Sequence, residues 1–521
     1  MRPITDWLPI TKDEVLKRGW SEVDIVIVSG DAYVDHPSFG TAVIGRVLEH
    51  EGYKVAILPQ PNWKDDLRDF KKFGKPRLFF GVTAGCMDSM VNHYTAAKRL
   101  RSDDAYTPNN KAGFRPDYPT IVYTKILKQL FPETPVILGG IEASLRRVEH
   151  YDYWQDKKMP SILIQSGADM LVYGMGEKPI VEIARQLNTG KQICEIHNIP
   201  QTAFQQSHCE EQSDEAIHND AGLLRLMAHN DVVINPPCPP MTTSEIDTVY
   251  DLPYTRLPHP KYKKRGVIPA YEMIRHSINI HRGCFGGCAF CSIAAHQGKQ
   301  IISRSKKSIL QEVENVVQMD DFKGYISDLG GPSANMWNMN GKMQDICEKC
   351  ERTSCIFPTI CKNMNVDHKP LINLYKSVAE HKKVKKVFIG SGIRYDLFDK
   401  KSSNPDYNYA EYVIKNCVSG RLKVAPEHTE DHVLQAMQKP SFDRFVDFKN
   451  YFDEVNRRLG LRQQLIPYFI FDYPNSSEKD EKNLVEKAKK FGYRHLESVQ
   501  KFTPTPMTSA TEQYFTSKRK S

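Results

Sequence analysis

Short apolar runs that close in glycine alternate with amphipathic stretches through the first third of the chain. Asp24–Gly30, Lys54–Leu58, Arg77–Val82, Pro135–Gly140 and Asp169–Gly174 each read as a buried strand. A helical stretch from about Gly40 to His50 carries Val43, Ile44, Val47 and Leu48 on one face. Strands alternating with helices predict a parallel, doubly wound sheet. Such sheets bind ligands at the carboxyl ends of their strands.

The second half repeats the alternation. Ser277–Ile280 alternates polar and apolar, and Gly324–Leu329, Val384–Ser391, Leu422–Ala425, Gln464–Phe471 and His495–Phe502 follow as strands. Helical patterns over Ser308–Met319, Leu371–His381, Tyr409–Ser419 and Glu478–Phe491 separate them, and Thr429 and Ser441 are suited to N-cap two more. Six strand–helix units predict an open partial (β/α)6 barrel whose site lies at the carboxyl ends of its strands.

At the end of the first of these strands stands His281-Arg282-Gly283-Cys284-Phe285-Gly286-Gly287-Cys288-Ala289-Phe290-Cys291-Ser292. A four-iron cluster usually takes four thiolates. Cys284, Cys288 and Cys291 in C-x3-C-x2-C spacing supply three, which leaves one iron open to a substrate or cofactor. Gly283, Gly286 and Gly287 let the backbone wrap closely around the sulfurs. The competing reading is a structural zinc knuckle completed by His281 or His296. The cluster is preferred because features at the other strand ends fit it.

This loop resembles the signature of the radical S-adenosylmethionine (radical SAM) superfamily, with Phe290 as the aromatic before the last cysteine. The resemblance implies a [4Fe-4S] cluster whose open iron chelates the amine and carboxylate of S-adenosylmethionine. One electron then cleaves the sulfonium to methionine and a 5′-deoxyadenosyl radical. It also implies an electron donor such as flavodoxin or ferredoxin. Gly330-Gly331 matches the stretch that binds the S-adenosylmethionine amine, with Pro332 where glutamate is commoner. Ser391-Gly392-Ile393-Arg394 resembles the serine and arginine that hold ribose and carboxylate. Pro426-Glu427-His428 is a further contact for ribose or substrate.

The first half resembles the cobalamin-binding type of Rossmann domain, on Gly139-Gly140-Ile141-Glu142-Ala143-Ser144 and Tyr173-Gly174-Met175-Gly176-Glu177-Lys178-Pro179. It departs from the cobalt-ligating Asp-x-His-x-x-Gly, because Asp35 and His36 are adjacent and Gly40 is four residues past the histidine. A sheet serving substrate binding or packing is preferred over bound cobalamin. The whole pattern is similar to the YgiQ-like radical SAM proteins. The carriers are Asp328–Met336, Val424–His428 and Phe502–Thr508, and the departure is Phe471–Asn475, where the family tends to a Ser-His-Pro-Gly type of loop.

The expected fold class is therefore α/β: a cobalamin-binding-like Rossmann sheet over 1–200, a linker with an inserted polar segment over 201–270, a radical SAM barrel over 271–510, and a basic tail over 511–521. Within the barrel, Cys347-x2-Cys350-x4-Cys355-x5-Cys361 suits a second metal site, an iron–sulfur cluster or zinc. Seven of the twelve cysteines lie between Cys284 and Cys361, so metal ligation rather than disulfides is expected. The acidic stretch from Gln205 to Asn219, including His208 and Cys209, reads as a tolerated insertion without a role in chemistry. Pro236–Pro240 reads as a stiff linker.

The formal net charge of +8 is spread over 521 residues. Its basic clusters at Lys261–Arg265, Lys382–Lys386 and Lys518–Lys520 lack interleaved aromatics. A zinc-stapled nucleic-acid-binding protein is the alternative function, less favoured for that reason. Arg146 and Arg147 read equally as an anion site or as surface arginines. No apolar run is long enough to span a bilayer and no leader is evident, so a cytoplasmic protein without membrane contact is expected. The substrate is not legible.

Overall fold

The computed structural model describes residues 2–205, 227–229, 232–398, 407–493 and 495–519. All but the first residue of the acidic stretch from Gln205 to Asn219 lies outside them. The described chain divides into two compact units. One comprises 1–239, 252–275 and 505–507; the other comprises 240–251, 276–504 and 508–521.

The first unit is built on a sheet whose strands run in the order Met227–His229, Val232–Ile234, Thr202–Gln205, Met170–Val172, Val136–Leu138, Phe79–Thr83, Ile25–Ser29 and Val55–Pro59. The last five are the five predicted strands, all parallel. Their continuous apolar sequences follow from burial on both faces. Ile25 and Ile27 pack into one cluster with Leu48 and Ile183, whereas Val26 and Val28 pack into another with Tyr123 and Leu127.

The stretch expected to be linker behaves otherwise. Thr202–Gln205 and Val232–Ile234 extend the sheet antiparallel, because Ala203 and Val232 are apolar enough to join its core. Leu252–Arg275 also folds with this unit, through the apolar Tyr262, Ile268 and Tyr271. The expected domain boundary is thus replaced by one at Pro239–Pro240, inside the proline run.

In the second unit all six predicted strand positions are extended. Ser277–Asn279 pairs parallel with Asp328–Gly330, and Tyr325–Ile326 pairs parallel with Lys386–Val387. Arg421–Glu427, Gln464–Phe471 and Ser498–Lys501 form a parallel three-stranded sheet. The second predicted strand is split at Ser327, whose N–H donates to His276 O at 3.1 Å. Helices Lys306–Val317, Lys369–Ala379, Tyr407–Asn416, Phe442–Arg458 and Glu478–Lys490 lie between strands. One continuous core joins them, from Ile278 and Leu329 through Leu374 and Val413 to Phe469. No helix among the described residues is long and apolar enough to cross a membrane.

Candidate functional site

The cysteine loop leaves the carboxyl end of Ser277–Asn279, which the Ile280 N–H anchors by donating to Gly330 O at 2.8 Å. Two glycines make the loop's path possible. Gly283 has φ +85°, and a Cβ there would collide with Gln300 O. Gly287 has φ +61°, and its Cβ would stand 2.5 Å from Thr353 O. Either substitution would strain the backbone as well as the packing. The three cysteines are half-buried, and Cys291 N–H donates to Cys288 O at 3.1 Å. Burial pushes the Cys291 thiol up to about 12, and the neighbouring Cys288 adds to it. Burial also raises the Cys284 thiol, against the pull of Arg394.

Arg394 is the charged group that meets the sulfurs. Its Nη1 donates to Cys288 Sγ at 3.3 Å. Its Nε and Nη2 form a fork on Asp396, at 2.9 and 2.6 Å. The arginine suggested for a cofactor carboxylate therefore has that fork filled by the chain's own aspartate, and it turns its remaining edge to the cysteines. Burial opposes the Asp396 charge, but Arg394 outweighs it and holds the carboxyl below the usual range. Asn335 fixes the arginine from behind, accepting from Arg394 N–H at 2.7 Å and donating to its carbonyl at 3.0 Å. Amide and guanidinium donors aimed at sulfur are what an iron–sulfur cluster uses to disperse its negative charge. The donor set fits that group.

Gly330 and Ser391 belong to one cluster at the neighbouring strand ends. Asp328 Oδ1 accepts from Gly390 N–H, Ser391 N–H and Ser391 Oγ, at 2.8, 3.2 and 3.1 Å. A Cβ on Gly330 would overlap Ser391 Oγ. Burial raises the Asp328 carboxyl in spite of these donors. Gly331 lies against His281, where a Cβ would stand 2.5 Å from the ring. His281 is fully buried, and neither of its ring nitrogens has a hydrogen-bond partner among the described residues. Burial lowers its pKa to about 3, so it is a neutral imidazole.

Phe290 packs edge-on to Tyr473 at 6.5 Å, which puts the divergent Phe471–Asn475 loop beside the cysteines. Glu427 has φ +70° and is buried. Lys439 Nζ stands 3.6 Å from its carboxylate, and burial raises its pKa. Asp328, Asn335 and Asp396 had no individual role in the sequence reading. Their signal was proximity to the glycine pair and to Arg394, but only the fold joins them.

Cys347, Cys350, Cys355 and Cys361 line one cleft with Phe285 and Lys299. Among the described residues no three His, Cys, Asp or Glu side chains converge closely enough to hold a single metal ion. That holds for both cysteine groups.

The Radical SAM N-terminal family matches residues 7–221 and 207–277. A UPF0313 protein of Bacteroides thetaiotaomicron is 56% identical over 98% of this chain and 90% of its own length. UPF0313 protein YgiQ of Escherichia coli is 42% identical over 98% of this chain and 79% of its own. The chain belongs to the UPF0313 (YgiQ-like) family of radical SAM proteins. Solved radical SAM enzymes share the α/β fold of this UPF0313 chain. The methyltransferase TsrM of Kitasatospora setae, with tryptophan and a S-adenosylmethionine analog bound, gives a TM-score of 0.54 at 14% identity, over 94% of this chain and 74% of its own. The cobalamin-dependent enzyme OxsB gives 0.53 at 11% identity, over 97% and 57%.

Cobalamin is bound in OxsB; in this chain the strand ends of the first unit carry buried ion pairs. The Asp35 carboxylate is committed to Arg46, with Nη2 at 2.5 Å and Nε at 3.0 Å. His36 is buried, its Nδ1 accepts from Ser38 N–H at 3.1 Å, and its Nε2 has no hydrogen-bond partner among the described residues. Past the Ile25–Ser29 and Phe79–Thr83 strands, Arg115 bridges Asp31 at 2.8 Å, Asp104 at 2.9 Å and Ala84 O at 2.8 Å. Arg146 is not a surface arginine: it is 1% exposed and pairs with Asp88 and Asp152, at 2.9 and 2.6 Å. These ends are bound up with the chain's own ions.

Proposed function

We propose that this protein is a radical SAM enzyme that binds a [4Fe-4S] cluster on Cys284, Cys288 and Cys291 and S-adenosylmethionine at the adjoining strand ends. The observation that carries the reading is the three-cysteine loop at a strand's carboxyl end, with an Arg394 N–H on Cys288 Sγ at 3.3 Å. When bound, such a cluster supplies one electron to the sulfonium, releasing methionine and a 5′-deoxyadenosyl radical.

The chain's own residues then have distinct tasks. Arg394 donates to a cluster thiolate and steadies the extra negative charge of the reduced state. Asp396 and Asn335 hold that arginine in place. Gly330 and Gly331 keep the backbone bare where an amine is to approach, and the Asp328 carboxylate keeps Ser391 oriented for ribose. His281, neutral and under Gly331, offers an acceptor without bringing a positive charge near the cofactor amine. Phe290 and Tyr473 wall the loop with apolar surface, which excludes water from a reactive radical. Glu427 is read as a ribose or substrate contact.

We read the six successive strands of the second unit as a partial (β/α)6 barrel, and the cell's reduced flavodoxin or ferredoxin as the electron source, in the cytoplasm. Cobalamin has no part in this reading. The nucleic-acid-binding alternative is favoured by no observation in the fold or the comparisons.

The test is electron paramagnetic resonance of anaerobically reconstituted, reduced protein with and without S-adenosylmethionine. The cofactor is expected to change the spectrum of the wild-type cluster. Replacing Cys288 by alanine is expected to remove that response. An unchanged wild-type spectrum would mean that no iron is open to the cofactor.

A further inference from the structure

The second cysteine group lies in a segment with little to hold it together. Between Met339 and Val366 the described secondary structure is a five-residue helix, Gln344–Glu348, and one isolated bridge, Gly341 to Met364. So long a stretch without regular structure needs another source of order. Its apolar residues do not supply one alone, since Met343 and Ile346 are exposed. The internal bonds instead gather the cysteines. Cys350 N–H donates to Cys347 O at 3.2 Å and Cys361 N–H to Cys355 O at 2.7 Å. Asn363 Nδ2 donates to Cys347 Sγ at 3.3 Å and to Met343 O at 2.8 Å. Gly341 is bare where Cys347 Sγ packs on it, since a Cβ would collide with the sulfur. Lys299 Nζ is fixed against the loop by Cys350 O at 3.1 Å and Arg352 O at 2.7 Å.

Four thiols, an amide donor on one sulfur and a fixed ammonium therefore surround one cleft. Tetrahedral zinc would draw all four sulfurs to about 2.3 Å from one point. Here the four cysteines instead line the walls of one cleft, beside Lys299 and Asn363. A cluster places each thiolate on a different iron around a larger body.

The group is also joined to the first loop. Cys355 N–H donates to Phe285 O at 3.0 Å, and Ser354 Oγ donates to Gly286 O at 2.8 Å. Phe285, 1% exposed, follows Cys284 in the chain and lines the second cleft. Cys284, Cys355 and Cys361 pack against the same apolar cluster, with Phe285, Met336 and Met339.

We propose that Cys347, Cys350, Cys355 and Cys361 hold a second [4Fe-4S] cluster, ligated entirely by protein, that exchanges an electron with the first cysteine loop across Phe285. With four thiolates it has no open iron and cannot chelate a substrate. One electron from a reduced flavodoxin- or ferredoxin-class donor reduces it and leaves the donor oxidised by one electron; passing that electron onward restores the cluster, and no bond is made or broken. The relay rests on the reading of the first loop given above, but the site does not.

The test is reconstitution of the full chain with iron and sulfide, without oxygen, in wild type and in the variant Cys284→Ala/Cys288→Ala/Cys291→Ala, which leaves the second group untouched. The variant is expected to keep about four irons and four sulfides per chain, against about eight of each in wild type. On dithionite reduction it is expected to take up about one electron per chain, seen as one paramagnetic centre. Zinc without iron in the variant, or no metal, would overturn the site; iron that accepts no electron would overturn the relay. Mössbauer spectra of wild type keep the test independent of the variant's folding. Two equal populations of cluster iron are expected, only one of them altered by S-adenosylmethionine, and a single population that S-adenosylmethionine alters throughout would overturn the proposal. If the first loop proves not to hold a cluster, wild type and variant will both show about four irons, which leaves the second site standing.

Discussion

Replacing Arg394 by methionine should damage this protein more through Asp396 than through Cys288. The arginine gives two of its three donor nitrogens to Asp396, and the two side chains are 10% and 9% exposed. Removing it strands a carboxylate that burial already disfavours. Breaking a buried pair from one side costs roughly 3–5 kcal/mol, a large part of the ~5–15 kcal/mol that holds a typical domain together. Replacing both partners, Arg394→Met with Asp396→Leu, removes the buried charge as well. It should return to within about 1 kcal/mol of wild type, since apolar replacements of buried ion pairs are often neutral or better. Asp396 fixes the pH dependence too: its folded pKa is depressed, so its contribution is present above the unfolded value near ~3.9 and is lost as pH falls through the folded one. The assay is urea unfolding at matched metal loading, followed by tryptophan fluorescence, for wild type, both single variants and the double. A double variant as unstable as Arg394→Met, or a single-variant cost below about 1 kcal/mol, would refute the reasoning.

Gly331→Ala drives a methyl group to within 2.5 Å of the buried His281 ring. It should cost ~1–3 kcal/mol by overpacking, read as a lower melting temperature, and Gly331→Ala/His281→Ala should recover part of the loss. In the first unit, burial and then Arg146 push His150 down to about 4. Its unfolded pKa is ~6.5, so stability is full above that pH and falls by ~1.4 kcal/mol per unit below it until the folded value is reached. The urea midpoint should therefore drop between pH 7 and pH 5, and His150→Asn should flatten that part of the dependence.

The strands were legible because burial on both sheet faces demands runs such as Ile25-Val26-Ile27-Val28, which few other environments tolerate. The split of the second predicted strand of the second unit was not, since it depends on Ser327 bonding back to His276. The three cysteines declared themselves by spacing. The orientation of Arg394 did not: its sequence suited a ligand carboxylate, and only the folded turn shows Asp396 filling the fork. Arg146 read equally as an anion site or as surface because its partners Asp88 and Asp152 lie 58 and 6 residues away. The join between the cysteine groups was invisible for a similar reason, since Ser354 and Gly286 are 68 residues apart. The linker reading failed because a few apolar residues, Ala203 and Val232 among them, suffice to add edge strands.

The central claim is tested most directly by counting products. Anaerobic, reconstituted wild-type protein, reduced in the presence of S-adenosylmethionine, is predicted to release 5′-deoxyadenosine and methionine in equal amounts, and Cys288→Ala to release neither. Equal release by the two proteins, or none from wild type that carries its full iron, would contradict the account.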